Sequence, residues 1–178
     1  MEFKLRAPVI TEEDFAKLFA FADQMERPEM YRLMLLLTKK LGLRPMELAG
    51  MESTWFVGQE LRIPLGHSKR KQGRSLPVDS EILKALCDHM GNKWGRVFLN
   101  AKGDAFTADG ISVAIRRIYK LAGVQGSCYS GRRTMATKLV DNKVNILVVQ
   151  GILGHSSPET TMKYVGVTDT MMRNALFG

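Results

Sequence analysis

Two arginines, a lysine, a histidine and a tyrosine stand in four short segments whose residue types suit phosphate chemistry. Arg44 lies in LGLRPMEL, Lys69 in SKRKQGRSLP, Arg132 in SGRRTMAT, and His155 and Tyr164 at the two ends of HSSPETTMKY. A guanidinium forks onto two phosphate oxygens, which an ammonium does less well. An ammonium on a flexible stem can protonate a leaving oxygen. An imidazole can hydrogen-bond a phosphate oxygen, and a tyrosine oxygen can attack phosphorus to give a covalent ester. Together the five groups could hold a DNA phosphate while a tyrosine attacks it.

Each group taken alone has a plainer reading. Arg44 stands three residues before Glu47 and could be a surface arginine paired with it. Lys69, Arg70, Lys71 and Arg74, with Arg62 on the strand before, could be a solvated hairpin tip. His155 after Gly154 could cap a helix, and a tyrosine on a helix is ordinarily core or interface. The order and spacing of the four segments must decide.

Composition narrows the partner. The 178 residues are 45% hydrophobic and 25% charged, enough to bury one core, and they carry a net charge of +8. An excess of Lys and Arg on this scale favours a polyanion, with nucleic acid ahead of a membrane surface. Cys87 and Cys128 form neither a disulfide framework nor a metal spacing, and His67, His89 and His155 are scattered, so no metal site or cofactor is expected. The opening MEFKLRAPVITEED lacks the apolar core of a signal peptide, and no apolar run, that of residues 33–37 included, is long enough to span a bilayer. The expectation is a soluble intracellular protein.

The elements that must position these groups can be read from periodicity. Thr11 caps a helix with Phe15, Leu18, Phe19 and Phe21/Ala22 along one stripe. A second helix runs over about 29–40 with Tyr31, Met34, Leu35 and Thr38 inward, and Gly42 ends it. Arg44 follows, with Pro45 where a first helical turn accepts proline, and MELAGM forms a short helix. Leu61, Ile63 and Leu65 alternate with Arg62 and Pro64 as a strand. Residues 66–73 read as a turn and 75–78 as the returning strand, while 55–57 adds a third. Helices resume over 81–90, from Thr107 or Asp109 to 121, then 134–140, 145–153, 158–165 and 168–176. The class is mainly α (α+β), with a small three-stranded antiparallel sheet.

The four segments resemble those of the tyrosine recombinases, the phage-integrase family, over roughly residues 8–176. In that family Arg44 matches the first catalytic arginine and Glu47 an acidic residue that orients it. The catalytic lysine stands eight residues before the proline of a hydrophobic-proline pair. Lys69 has that distance to Pro77, with Lys71 the second choice. SGRRTMAT matches the box of the second arginine, Arg132. Tyr129 stands where most members carry a histidine that hydrogen-bonds the phosphate and serves as general base. Arg132 to His155 is 23 residues and His155 to Tyr164 nine, both matching family spacings. His155 then buttresses the nucleophile, which is Tyr164.

The resemblance implies a single catalytic domain over 1–178, with no amino-terminal core-binding domain ahead of it. It implies cleavage and rejoining of double-stranded DNA through a 3′-phosphotyrosyl intermediate, without metal or ATP. Further DNA contacts are expected from Arg70, Lys71, Arg74 and Arg133, and from Arg116 and Arg117 on the helix ending at 121. The protein is expected to be a monomer or weak oligomer that assembles into a tetramer on DNA, with an accessory protein left open. The segment after Tyr164, with Met171, Met172, Leu176 and Phe177, either packs on its own domain or docks on a neighbouring subunit. Two other readings stand beside this one: a type IB topoisomerase-like nicking and closing activity, and a DNA-binding regulator that kept the fold and lost turnover.

Overall fold

The computed structural model describes residues 7–67, 73–155, 157–162 and 169–178. The hairpin tip with Lys69, Arg70 and Lys71, and the segment with Tyr164, lie outside the described residues. Nine α-helices and three short strands occur among the described residues, the mainly helical class expected from the sequence. The helices are α1 (Glu12–Ala22), α2 (Pro28–Leu41), α3 (Pro45–Gly50), α4 (Ser80–Met90), α5 (Ala108–Leu121), α6 (Ser130–Asp141), α7 (Ile146–Leu153), α8 (Pro158–Met162) and α9 (Asp169–Phe177). The strands are β1 (Phe56–Val57), β2 (Glu60–Ile63) and β3 (Arg74–Pro77).

α2 is the axle of the fold, with α1, α4, α5 and α6 packed around it. Met30, Leu33, Met34, Leu35, Leu36, Leu37, Thr38 and Leu41 are all buried, so the helix is apolar nearly all round rather than along one stripe. A helix of that kind belongs inside a core. Tyr31, expected on the inward face, is only half-buried. Gly42 closes α2 in the left-handed conformation at φ +60°, and the chain turns directly into Arg44.

The sheet is antiparallel in the order β1-β2-β3, with Leu61 opposite Leu76 and Ile63 opposite Arg74. Leu61, Ile63 and Leu76 face the core. β2 ends at Ile63, leaving Leu65 exposed, and Trp55 belongs to a 3-10 turn rather than to β1.

One helix start differs clearly from its expected place. α6 begins at Ser130, four residues ahead of the expected Thr134, because Ser130 is drawn into the turn before it: its Oγ accepts from the Ser127 N–H at 2.9 Å. Arg132 therefore lies in the first turn of a helix. A smaller cluster of Met135, Ala136, Val149 and Leu153 packs α6 on α7. The chain before α1 is strapped onto α6 by the Ile10 N–H, which donates to Thr134 Oγ1 at 2.8 Å. At the other end, α9 leaves Met172, Leu176 and Phe177 exposed. No helix among the described residues is long and apolar enough to cross a membrane.

Candidate active site

Three segments converge beside the sheet: the turn from α2 into α3, the first turn of α6, and the turn leaving α7. Arg132 bridges all three. Its Nη1 donates to the Gly42 carbonyl at 2.6 Å, and its Nη2 donates to the Leu153 carbonyl at 2.7 Å. The same Nη2 lies 2.9 Å from His155 Nε2. The side chain is among the largest fully buried ones in the molecule, at 1% exposure. Its two carbonyl acceptors are the C-cap of α2 and the last residue of α7, where helix carbonyls lack intrahelical partners and carry partial negative charge.

The contact fixes the state of His155. Arginine has only donors, so Nε2 must accept and the ring proton must sit on Nδ1. Nδ1 in turn stands 2.8 Å from Thr161 Oγ1, which receives that proton's hydrogen bond. Gln150 Nε2 donates to the His155 carbonyl at 3.0 Å and holds the turn closed. Thr161 is fully buried and was not singled out from the sequence. The only available signal was its place three residues before Tyr164.

The second group is built on one carboxylate. Glu47 is fully buried, yet it serves two arginines. Its Oε2 accepts from the Arg44 backbone N–H at 2.8 Å, and its Oε1 lies 3.3 Å from Arg44 Nη1. Arg74 reaches it from β3 with both ends of its fork: Nη1 on Oε1, and Nη2 on Oε2 at 3.1 Å. Burial pushes the Glu47 carboxyl up. The hydrogen bond and charge of Arg74, then the Arg44 N–H and charge, outweigh that and hold it below the ordinary glutamate range. Arg44 keeps 22% of its side chain exposed, so its guanidinium still reaches solvent.

The sequence-derived candidates thus divide. Arg44, Glu47, Arg132 and His155 are brought together. Tyr129 sits at the N-cap of α6 with 47% exposure, its N–H donating to Ser127 Oγ at 3.2 Å. Lys69, Lys71, Arg70 and Tyr164 lie outside the described residues. Arg74, grouped with the hairpin as a DNA contact, is instead almost wholly buried against Glu47. Arg133 donates from Nη1 to the Ala7 carbonyl at 2.8 Å, which ties it to the chain before α1 rather than to solvent. Arg116 and Arg117 are exposed on α5. Among the described residues no cluster of His, Cys, Asp and Glu could hold a metal ion.

The model of the phage integrase family matches residues 8–171. The chain belongs to that family. The tyrosine recombinase XerA of Pyrococcus horikoshii is 24% identical over 174 residues, covering 94% of this chain and 59% of its own. Among solved structures, the catalytic domain of bacteriophage HP1 integrase superposes with a TM-score of 0.72 at 23% identity, covering 95% of this chain and 93% of that one. The Tn1549 transposon integrase, solved in complex with transposon right end DNA, gives a TM-score of 0.82 at 16% identity, covering 98% and 66%. These likenesses show the same fold. The chain spans about half the length of the curated relatives it matches.

Proposed function

We propose that this chain is the catalytic domain of a site-specific DNA recombinase that cleaves and rejoins DNA through a phosphotyrosyl intermediate. Tyr164 gives its phenolic proton to Tyr129, which acts in the place of the family's histidine base and passes the proton to solvent; its oxygen attacks the scissile phosphorus and forms the new ester, and the 5′ oxygen leaves with a proton from Lys69. Rejoining reverses the step: a 5′ hydroxyl attacks phosphorus and expels the tyrosine. The ester retains the energy of the broken bond, so no nucleotide is needed.

The observation that carries this reading is the pair of oriented guanidiniums, Arg132 and Arg44, on adjoining turns. Such donors, fixed before substrate arrives, stabilise charge that develops on non-bridging phosphate oxygens. His155 acts through Arg132, because its Nε2 accepts from that guanidinium. Tyr129 supplies a hydrogen bond where a histidine is usual. Double-stranded DNA is the partner, in keeping with the net charge of +8 and with the DNA held by the Tn1549 integrase. Strand exchange follows when four protomers assemble on two sites.

The test is covalent trapping. Duplex fragments drawn from a genomic library, each nicked so that the cleaved piece diffuses away, are incubated with the protein in EDTA. A denaturant-resistant protein–DNA band is expected with wild type and none with Tyr164→Phe. Binding without any band across the library would transfer the reading to a DNA-binding regulator that has lost turnover. Relaxation of supercoiled DNA without junction resolution would favour the topoisomerase-like reading.

A further inference from the structure

Arg74 is absorbed by neither the phosphate-binding pair nor the surface cations. It is the first residue of β3, five positions after Lys69, so it stands at one foot of the hairpin that carries the candidate acid. Its side chain is 8% exposed and its guanidinium forks onto Glu47, the carboxylate that also takes the Arg44 N–H and side chain. Its Nε is buried with no partner among the described residues, so Glu47 is what holds it. The turn before His155 lies directly against it: a Cβ on Gly154 would fall 2.7 Å from Arg74 Nη1. Gly154 also sits at φ +61°, so a side chain is refused there twice over. The other foot of the hairpin is fixed to the same helix. His67 packs edge-on to Trp55, with ring centroids 4.7 Å apart, and covers Gly50 at the end of α3.

We propose that Arg74 is a positioning residue of the strand-transfer site, one that never meets the phosphate. Through the shared Glu47 carboxylate it sets the Arg44 guanidinium, and through its seat under Gly154 it fixes the hairpin against the Arg44 and His155 turns. The inference rests on the strand-transfer reading above. Its logic is geometric: an unsupported guanidinium samples many rotamers, and misplacing a catalytic group by about 1 Å can cost about 100-fold in rate.

The test compares wild type with Arg74→Ala, Arg74→Met, which keeps the apolar stem, and Arg74→Lys, which keeps a charge but not the fork. Single-turnover cleavage of a trapped site is expected to fall about 10- to 100-fold for Ala and Met and less for Lys, with DNA affinity and its salt dependence unchanged. A methylphosphonate at the scissile position has no non-bridging negative charge and so leans less on Arg44. On that substrate the gap between wild type and Arg74→Met is expected to narrow. Cleavage within twofold of wild type, affinity lost in step with rate, or an equal gap on both substrates would each overturn the proposal. Should wild type cleave nothing, the strand-transfer reading fails separately. Arg74 is then judged by nitrogen-15 NMR of the Arg44 guanidinium: slow rotation in wild type and averaged signals in Arg74→Met support the positioning role, and identical spectra refute it.

Discussion

Arg44 and Arg132 are held by opposite means. Arg132 leans on two helix-terminal carbonyls and a ring nitrogen. Arg44 leans on a carboxylate that it must share with Arg74. Hydrogen bonds to neutral acceptors fix a guanidinium by their direction. A single carboxylate between two guanidiniums fixes both and leaves one positive charge over from the three. The two groups therefore stake different things. Geometry at Arg132 depends on where α2 and α7 end, whereas geometry at Arg44 depends on an ion pair being made.

The largest test of that difference is Glu47→Gln. It leaves Arg74 buried beside a neutral amide, and breaking a buried pair in this way costs about 3–5 kcal/mol. Denaturant unfolding should show the loss at neutral pH. The Glu47 pKa is held below its ordinary value, so its stabilisation is complete above that value and is lost as pH falls through the folded one. The gap between wild type and Glu47→Gln should accordingly close in acid, from about pH 4.5 downward. A gap that persists unchanged through that window would mean that the carboxylate charge contributes little.

Arg132→Lys probes the other group. An ammonium cannot span both carbonyls, and one acceptor left unsatisfied in the interior costs about 1–3 kcal/mol. The stability loss should be smaller than for Glu47→Gln. Cleavage should fall further, by about 100- to 1000-fold, since a preorganised donor at the developing charge is misplaced. Reversal of either ranking would break the contrast between the two arginines.

Much of this architecture was legible in the sequence, and the omissions have physical causes. Thr11 caps α1, and of the candidates Thr107 and Asp109 it is Thr107 that caps α5; each side chain accepts from the N–H three residues on, a purely local signal. Arg44 after Gly42 and before Pro45 was equally local. Arg132 as a buried bridge was not, because its acceptors lie 90 and 21 residues away. The start of α6 was missed because the Ser127–Ser130 turn competes with no apolar pattern. Arg74 could have been placed better. Leu76 is buried on β3, and alternation of side chains puts Arg74 on that same face. Along β3 the period of two therefore says more about Arg74 than its company with Arg70 and Lys71 does.

The smallest expected effect separates cations bound up in the interior from those left for a partner. Arg117 is exposed on α5, with no ion pair among the described residues, so Arg117→Ala should change stability by no more than about 0.5 kcal/mol. If α5 faces DNA, each lost phosphate contact lowers the salt slope of binding by about one unit and weakens affinity on all sequences alike. Arg116→Ala, one position round the same helix, reports whether the contact belongs to the face or to a single residue. Arg74→Met should leave that slope untouched, because its guanidinium is already bound to Glu47 and displaces no counterion from DNA. Equal slopes for wild type, Arg117→Ala and Arg116→Ala would turn α5 away from the nucleic acid. The affinity would then have to come from the Arg44 side of the molecule, where a charged fork still opens to solvent.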